Sequence, residues 1–115
     1  MELDATSKEY IEIDDALKRI GGNEGLYKKL LTRFIDGNYL DSLCGAIESG
    51  DMEESARMAH TLKGVSANLS LVKIQSVSTE LEHMIKDGKD HSSKLDELKQ
   101  AYNATLEKIA DIMKQ

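Results

Sequence analysis

The sequence predicts an all-α domain, an antiparallel four-helix bundle with a short additional N-terminal helix or helices. Three observations lead there. The chain has no proline, no tryptophan and few β-branched or aromatic runs, which suits helices better than strands. Apolar residues recur at three- and four-residue spacing through the longer segments, the period of a helix with one buried face. The connections between these segments are short and marked by glycine or by capping side chains, so successive helices run antiparallel. With 115 residues there is room for one domain with a real core. Residues 1–115 are therefore read as a single unit, its bundle core spanning about 24–114.

Residues 1–12 suit a short helix, with Leu3, Tyr10 and Ile11 as its contacts. Asp14 suits the N-cap of a helix over 15–20, which Gly21 and Gly22 end, and Asn23 can cap the next. The segment 24–49 carries two stripes. Tyr27, Leu30, Leu31 and Phe34 form the first, and Leu40, Leu43 and Ile47 the second, rotated from it by nearly half a turn. Gly37 and Asn38 lie between them. Either the helix bends or breaks there, or it stays whole and buries different sides along its length.

Ser49 and Gly50 close that segment, and Asp51 opens a helix over 51–69. Asp51 with Glu54 comes close to a capping box. Asn68, Leu69 and Ser70 end it. A helix over 71–87 follows, with Ile74, Val77, Leu81, Met84 and Ile85 on one side, closed by Asp87 and Gly88. Ser92 or Ser93 caps the last helix, whose stripe is Leu95, Leu98, Tyr102, Leu106, Ile109 and Ile112.

The helix over 51–69 holds the most informative stretch, Ala59-His60-Thr61-Leu62-Lys63-Gly64. At 100° per residue, Met52, Met58, Ala59, Leu62, Val65 and Leu69 share one broad arc, with the small Ser55 and Ser66 among them. His60 falls opposite that arc. Lys63 and Gly64 flank it one turn later, and Glu53, Arg57 and Ala67 complete the outer face, with Ala56 a further small residue there. Glycine in a helix costs about 0.5–1 kcal/mol relative to alanine, and Gly64 is neither cap nor turn. Access is the physical return, because a side chain at i+4 would crowd the imidazole. Lys63 at i+3 can pair with a phosphoryl group on His60 as a point charge. A neutral imidazole has a nucleophilic ring nitrogen, so an exposed one can take and return such a group.

Other residues point elsewhere with less force. Glu80 and His83 match the Glu-x-x-His pair of a di-iron bundle, but Arg57 precedes His60 and Gly88 precedes His91 at that spacing, so no second pair exists and no metal is expected. Cys44 is the only cysteine and reads as a half-buried small hydrophobe, the five methionines as core filler. A formal charge of −6 argues against nucleic acid and against an anionic membrane surface. No segment approaches the ~18 apolar residues of a membrane span, and the acidic start is unlike a signal peptide, so no direct membrane insertion and a cytoplasmic location are expected. There is no Walker-type or kinase-like glycine-rich loop, hence no catalysis of its own.

The stretch around His60 resembles the histidine-containing phosphotransfer (HPt) domains of two-component phosphorelays, whose signature is His-x-x-Lys-Gly on a helix. Ile13-Asp14, the run from Ala16 to Asn23, Leu30-Leu31 with Phe34, Gly50-Asp51 and Leu81-Glu82 extend the likeness to roughly residues 10–115. Ser70 departs from it, since many members have a glycine between these two helices. The resemblance favours one long helix over 24–49. It implies that Nε2 of His60 accepts a phosphoryl group from a phospho-aspartyl receiver domain, for instance that of a hybrid sensor histidine kinase, and passes it to a response-regulator receiver. It also places at Glu82 a residue that can orient Nδ1–H of His60; the alternative is an ordinary surface carboxylate in water. Mg²⁺ would sit on the partner receiver, with no cofactor held by this chain. The docking face would comprise Glu53, Ala56, Arg57, His60, Lys63, Gly64 and Ala67. A competing reading is a helical adaptor without phosphoacceptor activity.

Overall fold

The structure is a computed structural model that describes every residue except Glu2, Ala5 and Thr6. A single 3-10 turn, Ser7–Glu9, precedes helices α1 (Ile13–Arg19), α2 (Glu24–Asp36), α3 (Tyr39–Glu48), α4 (Met52–Asn68), α5 (Val72–Lys86) and α6 (Ser92–Met113). No strand occurs among the described residues. Helix α4 packs against α3 and α5, α5 against α6, and α2 against α6. They enclose one core in which Leu31, Leu43, Leu62, Ile74, Leu81, Leu98, Ile109 and Ile112 are sealed from solvent. Each comes from a predicted apolar stripe, so burial of those stripes is the main force closing the fold.

The segment 24–49 is not one helix. It breaks at Gly37 and Asn38, and Asn38 adopts the left-handed conformation at φ 48°, which asparagine tolerates better than most residues. A Cβ at Gly37 would stand 2.5 Å from the Tyr39 ring. The bare glycine thus lets that ring fold back over the end of α2 and stack on Phe34, with centroids 5.5 Å apart. The break also removes the phase mismatch between the two stripes: α2 buries Tyr27, Leu31 and Phe34, and α3 buries Leu43 and Ala46. The single long helix expected from the resemblance is corrected accordingly.

Two expected caps are displaced. Helix α1 starts at Ile13, so Asp14 lies in its first turn rather than capping it. The reason is tertiary: the Glu12 amide donates to the Ser70 carbonyl at 3.0 Å, fixing the entry of the helix two residues earlier than expected. At the last helix, Ser92 is inside α6 and the Asp90 carboxylate accepts from its amide at 3.1 Å and its hydroxyl at 2.8 Å. Asn23 and Asp51 cap as expected, accepting from Leu26 N at 2.9 Å and Glu54 N at 3.0 Å. The reciprocal half of the capping box is missing because the Glu54 carboxylate turns to Arg57. Of the expected helix over 1–12, Glu2, Ala5 and Thr6 lie outside the described residues; the described ones form the 3-10 turn Ser7–Glu9, with Ile11 fully buried and Leu3 and Tyr10 against the core.

Ser70 performs the turn that a glycine was expected to make. It takes φ 56° itself, is buried, and donates its hydroxyl to Asp15 at 2.7 Å. Nearby, Arg19 donates to the Ala67 carbonyl at the end of α4, and the Tyr27 hydroxyl donates to the Leu69 carbonyl at 2.8 Å. Elements α1 and α2 are thereby fastened to the far end of α4, which leaves its middle free. No helix is long and apolar enough to cross a membrane among the described residues.

Candidate functional site

Helix α4 presents His60 outward because Ser55, Ala56, Ala59, Leu62 and Ser66 turn inward. The side chain of His60 is 65 % exposed. Gly64, one turn on, is exposed, and a Cβ there would meet nothing within 4 Å. No packing among the described residues therefore requires the glycine. Met52, expected on the buried arc, is instead exposed as the first residue of the helix.

Behind the imidazole stands Glu82 of α5. Its carboxylate is 3 % exposed and lies 3.1 Å (Oε2) and 3.3 Å (Oε1) from Nδ1 of His60. Lys63 Nζ donates to Oε1 at 3.1 Å, and Lys86 Nζ to Oε2 at 2.9 Å. Glu82 is thus no surface carboxylate in water. Burial pushes its pKa up, but the Lys86 and Lys63 ammoniums and the charge of His60 outweigh burial and hold it at about 2. A carboxylate that stays ionised can only accept hydrogen bonds. When the ring is neutral its proton must then sit on Nδ1, which leaves the Nε2 lone pair without a proton and the ring held edge-on to α5.

This arrangement has an acid-side signature. The unfolded chain takes up a proton on Glu82 near the ordinary 4.5, whereas the folded chain resists until about 2. Stability contributed by the ionised carboxylate is present above that window and is lost as pH falls through it. Acid unfolding followed by circular dichroism should show a loss between about pH 4.5 and 2 in the wild type that is missing from the Glu82→Gln variant. Parallel curves for the two proteins would show the carboxylate to be uncoupled from folding.

An open groove runs beside the ring, lined by Met52, Glu53, Ala56, Arg57, His60, Glu82, Ile85 and Lys86. Ala56, although buried to 8 % exposure, contributes to its floor. Arg57 is exposed and paired to Glu54 through its Nε at 2.9 Å. Gly64 and Ala67 lie further along α4, outside this groove, and Ala67 is half-buried. The structure thus brings His60, Lys63 and Glu82 into contact and spreads the other expected docking residues along one face. The sequence reading missed Lys86, although Glu82 and Lys86 stand at i and i+4 with the acid first, the favourable order for a helix pair. Ile85 is core as expected and also lines the groove, whereas Met52, read as core, is exposed on its wall.

The remaining candidates lie elsewhere. Glu80 bonds to Lys94 at 2.6 Å, and no cluster of three or more metal-ligating side chains occurs among the described residues. Cys44 is half-buried, and burial pushes its thiol up, away from a reactive thiolate.

With this geometry in view, the comparisons give one clear result. The family model for the Hpt domain matches residues 30–110, and the chain belongs to the Hpt domain family. No curated protein and no solved structure matches the chain significantly. Membership makes it a phosphotransfer domain of two-component signalling, a phosphocarrier rather than an enzyme, which interacts with response-regulator receivers.

Proposed function

We propose that His60 is the phosphoacceptor and that the chain works as a phosphorelay intermediate, its main helices forming an antiparallel four-helix bundle. It takes a phosphoryl group from a phospho-aspartyl receiver domain, such as that of a hybrid sensor kinase, and returns it to the aspartate of another response regulator. In the forward step the Nε2 lone pair of His60 attacks phosphorus while the bond to the aspartyl oxygen breaks. The partner aspartate leaves as a carboxylate, and the positive charge that develops on the ring is met by Glu82 through Nδ1–H. Mg²⁺ belongs to the receiver, where it steadies the phosphoryl oxygens, and this chain needs no cofactor of its own. The reaction takes place where receiver and carrier meet, in the cytoplasm. Glu53, Ala56, Arg57, Lys63, Gly64 and Ala67 form the contact face around the ring.

The single observation that supports this reading is the exposed ring whose Nδ1 lies 3.1 Å from a buried, ionised carboxylate, beside a glycine that the fold does not require. Incubation with phosphorylated receiver domains should produce acid-labile, base-stable phosphate that maps to His60. A chain that binds receivers but takes up no phosphate would instead be the helical adaptor.

Lys63 is the charge partner of the bound phosphoryl. Lys63→Ala should shorten the lifetime of phosphohistidine by about tenfold, the order of one lost charge-assisted hydrogen bond. An unchanged lifetime in the purified phosphoprotein would make Lys63 incidental.

A further inference from the structure

Glu82 carries one negative charge, yet two ammonium groups bond to it, Lys63 on Oε1 and Lys86 on Oε2. Either cation alone balances the carboxylate. The two differ in where they stand. Lys63 lies on α4 at i+3 from His60, on the helix face that carries the ring. Lys86 lies on α5 at i+4 from Glu82 and is tied to the carboxylate along its own helix.

We propose that Lys86 is a positioning residue that holds Glu82 ionised while Lys63 changes partners, from Glu82 in the free protein to the phosphoryl group once His60 carries one. This rests on the reading of His60 as the phosphoacceptor. Before transfer, the carboxylate and the two ammoniums sum to one surplus positive charge beside the imidazole. The incoming group brings about two negative charges, and the flexible Lys63 stem can turn toward it. That move would strip a buried carboxylate of its cation if Lys63 were alone, a costly state. Lys86 at 2.9 Å removes the obstacle, because Glu82 keeps a partner and keeps accepting from Nδ1 of His60. Lys86 need not touch the phosphoryl group.

The test is the lifetime of phosphohistidine in the purified phosphoprotein, with no receiver present, in a double-mutant cycle. Lys86→Ala should shorten the lifetime about two- to fivefold, the scale of a half-exposed ion pair, and Lys86→Arg should restore it. In a Lys63→Ala background, where Lys86 is the ammonium left on Glu82, Lys86→Ala should shorten the lifetime by a larger factor than it does in the wild type. A normal lifetime in Lys86→Ala overturns the proposal, and so do effects of the two substitutions that multiply independently. An effect on transfer to receivers with no effect on lifetime also overturns it, by making Lys86 a docking contact. If the wild-type chain takes up no phosphate on His60, the phosphoacceptor reading itself fails; uptake with an inert Lys86 removes only this inference.

Discussion

His60→Gln should abolish phosphoryl acceptance while leaving the fold intact. Glutamine has no nucleophilic ring nitrogen, so no phosphoryl–nitrogen bond can form at that position. The fold should tolerate the change because the side chain is 65 % exposed and faces away from Ala59 and Leu62, which fill the core. Among the described residues its polar attachment is to Glu82, and a glutamine amide can donate to the same carboxylate. Surface changes of this sort fall within about 0.5 kcal/mol, so the melting temperature should move by no more than about 3 °C. Radiolabelled transfer from a phosphorylated receiver, read alongside thermal melting, checks both halves. Phosphate uptake by the variant would move the acceptor elsewhere, to His83 or His91. A collapsed melting transition would mean that His60 holds the structure together.

Substitution of Gly64 should move stability and transfer in opposite directions. A Cβ at that position meets nothing within 4 Å, and the residue is inside α4. Gly64→Ala should therefore stabilise the chain by about 0.5–1 kcal/mol, the ordinary helical preference. Gly64→Leu adds a branched side chain one turn from His60, on the side from which a partner must approach. In-line transfer depends on placing the reacting atoms to within about an ångström, and misplacement on that scale can cost about a hundredfold. Transfer to and from receivers should fall about tenfold or more in Gly64→Leu, with an unchanged phosphohistidine lifetime in the isolated protein. A protein that is both more stable and equally fast would show that the open space beside the ring serves no partner. The pairing of the two outcomes matters, because slower transfer alone could come from damaged structure.

Much of the fold and of the site could be read along the chain because the relevant interactions are local. Asn23 and Asp51 cap helices through bonds to amides three residues away. The apolar stripes of α4, α5 and α6 follow from spacing, and the same spacing turned His60 outward and set Lys63 and Gly64 beside it. Contacts between elements decided other points. The break at Gly37 and Asn38 depends on Tyr39 stacking on Phe34 and on α2 and α3 burying different sides. The left-handed Ser70 depends on Asp15, 55 positions earlier. The entry of α1 depends on a bond from Glu12 to the Ser70 carbonyl.

Glu82 shows the same division most clearly. By itself the sequence determined an exposed imidazole on the polar side of an amphipathic helix, with a cation and a gap one turn away, because helical periodicity acts over a few residues. The packing of α4 on α5 decided that Glu82 would be buried to 2 % exposure, against Nδ1 of His60 and between two ammoniums. Lys86 is a neighbour along the same helix, but the contacts with Lys63 and His60 join groups 19 and 22 positions apart in the chain, and no repeat in the sequence encodes that distance. The ionisation that keeps Glu82 an acceptor is therefore a property of the assembled helices.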